Sequence, residues 1–236
     1  MQNLSPQVPL GLSKDEATFA NYYAGKNAQI LEELKKTVSG NGERIIYLYG
    51  TQGQGCSHLL QASCHFAHQQ QIRSVYLPLK ELRDFSPELL TGLEDYSLIC
   101  IDDLQQVAGW PQWEEGLFHL FNRVYDANGR MLFAANDVPK LLNLTLPDLE
   151  SRLSWGIVYQ LQALTDQEKL VVLTMRADKR GMRLPDEVGK YILTHYSRHM
   201  GALFGALDML DKATLAAQRR LTIPFVKEVL KINKEL

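Results

Sequence analysis

The chain has 236 residues, of which 45% are hydrophobic and nine are proline. That length can bury a substantial core in one large domain or two small ones, and the composition is typical of a soluble globular protein. The net charge of −2 argues against an extended nucleic-acid surface, so we expect any contact with DNA to be indirect. The three cysteines lack metal-ligand spacing, and no apolar run reaches the roughly 18 residues of a membrane span, so we expect a cytoplasmic protein.

Residues 1–14 are expected to form a flexible tail, because they contain two prolines and a glycine and have no helical or strand period. A helix is predicted next, with Ile30, Leu31, Leu34 and Val38 on one face. Strand-like runs then recur between helical stretches at Ile45–Tyr49, Ser74–Leu77, Ser97–Ile101 and Met131–Ala135. This alternation predicts an α/β fold with a parallel sheet flanked by helices.

From Leu164 onward the strand pattern stops and the remaining segments are helical. Thr165 and Glu168 are typical of a capping box, Gly181 of a helix end and Pro224 of a first helical turn. We therefore predict three parts, namely the tail 1–14, an α/β base 15–163 and an all-helical segment 164–236.

A glycine-rich loop directly follows the first predicted strand. Gly50, Gly53 and Gly55 precede Cys56 and Ser57, in the frame of a phosphate-binding loop that has cysteine where lysine is usual. Glycines let the backbone turn its N–H groups inward, and the following helix adds the positive end of its dipole. A thiol does not supply the charge of lysine, so the loop suits holding a nucleotide better than hydrolysing one. The alternative is an ordinary glycine-rich turn between a strand and a helix.

Two acidic residues, Asp102 and Asp103, end the apolar strand LICI. An aspartate at this position beside a phosphate loop can hold Mg²⁺ together with the Ser57 hydroxyl, and Asp103 would then face an attacking water. The alternative is a strand that simply ends in a polar turn. The loop and the acidic strand, in this order, favour nucleotide binding.

Two further segments could contact phosphate. Asn136 and Asp137 follow the strand MLFAA, where a polar side chain can sense a terminal phosphate. Arg152 lies in LPDLESRLSWG, and its guanidinium offers a planar fork of donors suited to phosphate oxygens. The alternatives are a strand-end turn for the first pair and a surface ion pair for Arg152.

Together these motifs resemble the AAA+ ATPases, specifically the DnaA group of replication initiators. The resemblance covers essentially the whole chain, and it rests on the loop, the strand ends and stretches such as HLLQA, LPDLESRLSWG and LTIPFVKEVL. It implies an AAA+ P-loop base followed by a helical lid.

The resemblance also implies roles for particular residues. Arg152 would be the arginine finger, which reaches into the nucleotide site of a neighbouring subunit. Asp102 and Asp103 would be the Walker B pair, and Asn136 with Asp137 would lie at sensor 1.

Other residues would complete the nucleotide contacts in the same way. Gln54 and His58 would bind the nucleotide together with the loop residues named above. Tyr22, Tyr23 and Asn27 mark the segment before the first helix, which would flank the base.

Two departures from the family pattern concern cations. Cys56 replaces the Walker A lysine, and Gly201 stands where the family often carries the sensor 2 arginine. Each charge-assisted contact to phosphate contributes about 1.5–3 kcal/mol, so losing two lowers the preference for a triphosphate. The expected cofactor is ADP or another nucleoside diphosphate, with Mg²⁺ at Ser57 and Asp102. A thiolate at Cys56 would repel phosphate, and we take the thiol as neutral.

The tail resembles the short peptide by which this family and other replication proteins bind the sliding clamp. Gln7 offers an amide, while Val8, Leu10 and Leu12 offer aliphatic side chains for an apolar pocket. Gly11 stands where proline is more usual, which weakens preorganisation.

The resemblance implies negative regulation of chromosomal replication initiation. Bound to a nucleotide and docked on the DNA-loaded sliding clamp, the β subunit of DNA polymerase III, the chain would supply Arg152 to ATP held by the DnaA initiator. Little hydrolysis of its own is expected. The alternatives are a self-sufficient P-loop NTPase and a DnaA-like helicase loader. Against an initiator, only about a dozen residues follow Pro224, too few for a helix-turn-helix domain. Whether the chain forms homo-oligomers is left open.

Overall fold

The computed structural model describes residues 17–231, which form two compact units. The first unit holds the described residues up to Ala24, Ala28–Tyr49 and Cys56–Gln160, and the second holds Gly25–Asn27, Gly50–Gly55 and the described residues from Leu161 onward. Each unit has a hydrophobic core of its own. Within this described range, no helix is long and apolar enough to cross a membrane. The predicted clamp-binding residues lie outside the described residues: Gln7, Val8, Leu10 and Leu12.

The first unit contains, among its described residues, a parallel sheet of five strands in the order β2-β3-β4-β1-β5. The strands are β1 Ile45–Tyr49, β2 Ser74–Pro78, β3 Leu98–Asp102, β4 Arg130–Ala135 and β5 Ile157–Gln160. The predicted parallel sheet is confirmed, and each of the four predicted strands lies within one residue of its expected bounds. The short edge strand β5 was not predicted.

The α-helices in the described part of the first unit are α1 Ala28–Val38, α2 Cys56–Gln69, α3 Leu79–Leu82, α4 Pro111–Asp126 and α5 Pro147–Leu153. The predicted apolar face of α1 is buried, with Leu34 and Val38 almost fully enclosed. α4 buries Trp113, Leu117 and Phe121 in the cluster that also contains the central strand residues. Apolar spacing of this kind is what attaches an amphipathic helix to a sheet.

The second unit is helical. Its helices, among the described residues, are α6 Asp166–Lys179, α7 Asp186–His195, α8 Met200–Ala217 and α9 Ile223–Leu230. α6 begins with the predicted capping box, in which the Thr165 hydroxyl accepts from the Glu168 N–H at 3.3 Å and the Glu168 carboxylate accepts from the Thr165 N–H at 2.7 Å. The chain turns after α6 at Gly181, whose φ of +70° favours glycine. The predicted all-helical C-terminal segment is confirmed for these residues.

The strand register brings the ends of neighbouring strands to one edge of the sheet. Tyr49 of β1 is level with Ala135 of β4, and Ile101 of β3 is level with Phe133 of β4. Because the carboxyl ends of parallel strands share one edge, Asp102 lies at the edge where β4 and β1 also end.

Glu114 on α4 is a fully buried carboxylate (0% exposed). Its Oε1 accepts a hydrogen bond from the Gly109 N–H at 2.6 Å. Its Oε2 accepts from the N–H and the hydroxyl of Thr145, both at 2.8 Å, and from the Leu146 N–H at 2.7 Å. Leu146 immediately precedes α5, so this carboxylate ties the start of α5 to α4.

Glu114→Gln should lower the free energy of unfolding by about 2–4 kcal/mol, because an amide NH₂ would face N–H donors that the carboxylate now satisfies. Urea unfolding at neutral pH measures the change. Glu115→Gln is the matched control, since Glu115 is the next residue on α4 and is exposed, and it should change stability by no more than about 0.5 kcal/mol. Equal stability of the two variants would contradict the importance of the Glu114 contacts.

Candidate functional site

Asp102, at the carboxyl end of β3, is buried (3% exposed) and receives hydrogen bonds from two groups. The Tyr76 hydroxyl donates to Oδ2 at 2.6 Å, and the Asp103 N–H donates to Oδ1 at 2.8 Å. The Ser57 hydroxyl is a third polar group, close enough to Asp102 to lower its pKa. Burial raises the pKa of Asp102 above its ordinary value, and Tyr76 and Ser57 oppose that rise. The structure thus brings together Ser57 and Asp102, the side chains predicted to hold Mg²⁺.

Asp103 leaves the strand in a left-handed conformation, with a φ of +57°. Its Oδ1 accepts a hydrogen bond from Gln105 Nε2 at 2.9 Å, and the residue is half-buried. In residues 17–231, no group of three or more His, Cys, Asp or Glu side chains is arranged to hold a metal ion. The Ser57–Asp102 pair is the kind of partial oxygen set that Mg²⁺ completes with phosphate oxygens and water.

Cys56 is the first residue of α2. Burial, with a smaller contribution from the nearby Asp102 carboxylate, raises the pKa of the Cys56 thiol to about 12. Below that pH the thiol keeps its proton, so at neutral pH Cys56 carries no charge. It neither repels phosphate, as a thiolate would, nor attracts it, as lysine would.

The glycine-rich loop, in the second unit, has a backbone that requires glycine. Gly53 and Gly55 have φ values of +88° and +102°, in a region that other residues rarely adopt. Gln54 folds back so that its side-chain oxygen accepts from the Thr51 N–H at 2.8 Å, and a Cβ at Gly50 would collide with that oxygen. The loop therefore already holds an oxygen acceptor on a backbone N–H, which is the kind of contact that a phosphate oxygen makes.

Asp137 and Asn136 follow β4 and differ in what their side chains do. The Asp137 carboxylate accepts from the Val138 N–H at 2.8 Å, and the Asp137 carbonyl oxygen accepts from the Tyr47 hydroxyl at 2.8 Å. Asp137 therefore stabilises its own turn. Asn136 is exposed and is the polar side chain at this strand end that faces solvent.

Tyr22 and His58, both predicted nucleotide contacts, lie together in the first unit. Their ring centroids are 5.4 Å apart, and His58 Nε2 lies 3.0 Å from the Thr18 carbonyl oxygen. Tyr23 is half-buried. The predicted contact of these residues with a nucleotide stays a prediction.

Asn27, in the second unit, is buried (1% exposed) and pairs with the backbone of Gln162. The Gln162 N–H donates to Asn27 Oδ1 at 2.8 Å, and Asn27 Nδ2 donates to the Gln162 carbonyl oxygen at 3.1 Å. The amide thus joins two segments of the second unit, and its predicted position beside a base stays a prediction.

Arg152 is half-buried on α5, and its guanidinium carbon lies 3.8 Å from the centroid of the Trp155 ring. No carboxylate in the described part of the chain forms an ion pair with it. The surface ion pair that the sequence left open for Arg152 is therefore not formed by these residues. A guanidinium that lies against a ring and has no carboxylate partner can use its positive charge to bind an anion such as phosphate.

Gly201 is exposed on α8, and a Cβ built there meets nothing within 4 Å. The position has room for a long side chain. Lack of space is therefore not what keeps a cationic side chain from this position.

Two residues that support these side chains escaped the sequence analysis. Glu114 lies three residues before Leu117 and seven before Phe121, on the buried face of α4, and a charge on that face was an available signal. Trp155 follows Arg152 by three residues, a spacing at which side chains can meet.

Comparison with known proteins gives two family matches. A model of the bacterial DnaA ATPase domain matches residues 13–160, and a model of the Hda lid domain matches residues 166–230. Among solved structures, domain III of the Thermotoga maritima replication initiation protein DnaA has a TM-score of 0.82 at 21% identity, over 93% of this chain and 98% of that one.

Two further solved structures share the fold. AMPPCP-bound DnaA from Aquifex aeolicus has a TM-score of 0.72 at 23% identity, over 84% of this chain and 66% of that one. A mutant RuvB from Thermotoga maritima has a TM-score of 0.67 at 14% identity, over 92% and 72%. The first family model spans well over half of the residues, on a parallel sheet whose strand ends carry the acidic and polar pairs. The chain therefore belongs to the bacterial DnaA ATPase domain family, as a DnaA-related AAA+ protein whose lid is of the Hda type.

Proposed function

We propose that this protein is a negative regulator of chromosomal replication initiation that stimulates hydrolysis of ATP bound to the DnaA initiator. It acts with a nucleotide bound, docked on the DNA-loaded sliding clamp, and supplies Arg152 in trans. The observation that carries the proposal is the contrast between two positions. Arg152 is a charged guanidinium with no carboxylate partner in the described range, while Cys56 is a neutral thiol at the chain's own phosphate loop.

The loop supports binding of a nucleoside diphosphate, with ADP as the expected form. The contact between Gln54 Oε1 and the Thr51 N–H is one that a phosphate oxygen can replace. Cys56 and Ser57 begin α2, whose dipole attracts negative charge. The bound AMPPCP of the Aquifex aeolicus DnaA, which shares this fold, agrees with a nucleotide here.

The remaining residues of the proposed site have distinct tasks. Ser57 and Asp102 would hold Mg²⁺, which would neutralise phosphate charge when bound. Asn136, at the exposed end of β4, is the sensor 1 contact, and Tyr22 with Tyr23 flanks the base.

Weak hydrolysis by the isolated protein follows from its missing cations. Catalysis of phosphoryl transfer depends on positive groups that stabilise charge on the transferred phosphoryl. Neither Cys56 nor Gly201 supplies one. A site of this kind holds a diphosphate through backbone and base contacts without an efficient reaction of its own.

Arg152 supplies a catalytic cation to the nucleotide site of DnaA. An arginine finger supplied in trans raises the hydrolysis rate by roughly 10³–10⁵, because it neutralises charge that develops in the transition state. Hydrolysis therefore takes place at the nucleotide of DnaA, and this protein is the activator.

Clamp docking is assigned to the tail 1–14, ahead of an AAA+ base 15–163 and a lid 164–236. Gln7 with Val8, Leu10 and Leu12 combines an amide with aliphatic side chains, as docking peptides do. The net charge of −2 agrees with contact to DNA through the clamp and not directly.

Restoring either cation should raise affinity for ATP over ADP. We expect Cys56→Lys and Gly201→Arg each to increase the ATP-to-ADP affinity ratio by roughly tenfold or more, since a charge-assisted phosphate contact contributes about 1.5–3 kcal/mol. Calorimetric titration with Mg²⁺ measures both affinities. Gly205→Arg is the control, because Gly205 lies one turn further along α8, is exposed and has equal space. Hydrolysis by the unmodified protein at roughly 1 s⁻¹ or faster would instead support a self-sufficient NTPase.

Changing Gln7 and Leu10 together to alanine should abolish clamp binding, because it removes the amide and one aliphatic contact of the proposed docking peptide. Surface plasmon resonance on immobilised clamp measures the loss. ADP affinity and the thermal unfolding midpoint of the same variant should match those of the parent. Unchanged clamp affinity would refute the role given to the tail.

Arg152→Ala should lose stimulation of DnaA-bound ATP hydrolysis by up to roughly 10³–10⁵, and Arg152→Lys should recover little, because an ammonium lacks the planar fork of donors. The assay is single-turnover hydrolysis of labelled ATP preloaded on DnaA, with clamp and DNA present. Arg219→Ala, which removes an exposed arginine of the second unit, is the control for loss of one positive charge. Parent-like stimulation by the alanine variant would remove the central support of the proposal.

A further inference from the structure

Arg152 lies against an aromatic surface made by two elements of the first unit. Its guanidinium carbon is 3.8 Å from the Trp155 ring centroid, 5.9 Å from that of Phe118 and 6.0 Å from that of Phe121. Phe118 and Phe121 lie on α4, and Trp155 lies between α5 and β5. The short distance to Trp155 makes that ring the main contact.

Trp155 is 53% exposed, yet other rings fix its orientation. It meets Tyr125 at 5.5 Å and 75° and Phe121 at 6.1 Å and 83°, both edge-to-face arrangements. Phe121 stacks in turn on Phe133 of β4, with 6.3 Å between the ring centroids. The Arg44 guanidinium carbon lies 4.2 Å from the centroid of the Tyr125 ring. A large exposed side chain is thus connected to the sheet through a chain of ring contacts.

A guanidinium that lies against a ring face keeps its N–H donors free for another partner, whereas a guanidinium paired with a carboxylate does not. A guanidinium carries its five N–H donors in its own plane, so a ring face orients the plane without occupying the donors. A carboxylate would occupy two donors and compete with phosphate for the charge. A ring is therefore a suitable support for an arginine that must bind phosphate on another subunit.

We infer that Trp155 is a positioning residue that holds the Arg152 guanidinium in the orientation needed for its action in trans. This inference rests on the role proposed for Arg152. Trp155 acts through Arg152 and does not itself contact the reacting phosphate. The indole ring sets the plane of the guanidinium before the partner binds. The Arg152 side chain therefore loses less conformational freedom on association.

A competing explanation is that Trp155 binds the partner directly. Trp155 and Tyr125 line a groove of about 540 Å³ together with Lys36 and Arg44, and exposed Trp, Tyr and Arg are common where proteins bind each other. A direct contact predicts weaker association, whereas positioning predicts a slower reaction at saturation. The maximal rate and the half-saturating concentration of the stimulated reaction separate the two.

The first measurement concerns the free protein and does not depend on the proposed function. The side-chain Nε–Hε signal of Arg152, assigned by its disappearance in Arg152→Lys, should show a ring-current shift. Trp155→Leu should move that signal toward the position of an unstacked arginine, and Trp155→Phe should keep part of the shift. Trp110→Leu is the matched control, because Trp110 is also exposed and forms no ring pair among the described residues. An Arg152 signal unchanged in Trp155→Leu would overturn the inference at this step.

The second measurement is single-turnover hydrolysis of ATP on DnaA over a range of concentrations of this protein. Trp155→Leu should lower the rate at saturation by roughly 10- to 100-fold with the half-saturating concentration within about threefold of the parent, as a misplaced catalytic group does. Trp155→Phe should restore most of the rate, and Trp110→Leu should match the parent. In the Arg152→Ala background, Trp155→Leu should cause no further loss, because a residue that acts through Arg152 has nothing left to position.

The outcomes distinguish failure of the inference from failure of the proposed function. A raised half-saturating concentration with an unchanged maximal rate, or a further loss in the Arg152→Ala background, would overturn positioning in favour of direct contact. Parent-like rates in both Arg152→Ala and Trp155→Leu would refute the proposed function itself. A large loss in Arg152→Ala with none in Trp155→Leu would overturn the inference alone.

Discussion

The parallel register of β1, β4 and β3 is the constraint on which the candidate site depends. Parallel pairing makes all carboxyl ends face the same edge, so Asp102 and Asn136 lie at one edge of the sheet although they are 34 positions apart in the sequence. The register also requires close strand contacts. A Cβ at Gly156 would overlap the carbonyl group of Ile45, so glycine is needed where the chain enters β5 beside β1. Burial of β1 between two strands then explains why its sequence is a continuous apolar run.

The acidic groups and the cation of the candidate site lie on different elements, the acidic groups at the strand edge and Arg152 on α5. The strand edge carries the buried Asp102 carboxylate, the half-buried Asp103 carboxylate and the neutral Cys56 thiol. These groups favour a bound cation such as Mg²⁺ and give no positive charge to attract a phosphate. On α5 it places a guanidinium with no described acidic partner. A protein that served only its own nucleotide would gain from the opposite arrangement. This distribution agrees with the proposed role, in which the chain's own site retains a nucleotide while Arg152 acts on a nucleotide held by another subunit.

The sequence predicted the fold well where the signal is local. The four predicted strands are apolar runs with turn residues at their ends, and their predicted parallel direction is enough to place the polar residues at those ends on one edge. β5 was missed because four residues of alternating exposure give too weak a period. Glu114 was missed because its burial depends on Gly109, Thr145 and Leu146 reaching it through the folded chain. The three-residue spacing allows Arg152 and Trp155 to meet, but the orientation of the Trp155 ring depends on Phe121 and Tyr125 of α4, which the sequence around Arg152 does not encode.

Helix α5, which carries Arg152, depends on such tertiary contacts. α5 has seven residues, and a helix that short is not stable alone in water because nucleation costs more than its few hydrogen bonds return. Its N-cap residue, Leu146, has no capping side chain, but the buried Glu114 carboxylate accepts from the N–H of Leu146 itself and so anchors the start of the helix. Trp155 holds Arg152 near the other end. α4 therefore supports both ends of this segment, through Glu114 at the start of α5 and through Phe121 and Tyr125 against the Trp155 ring, although it carries none of the predicted phosphate ligands.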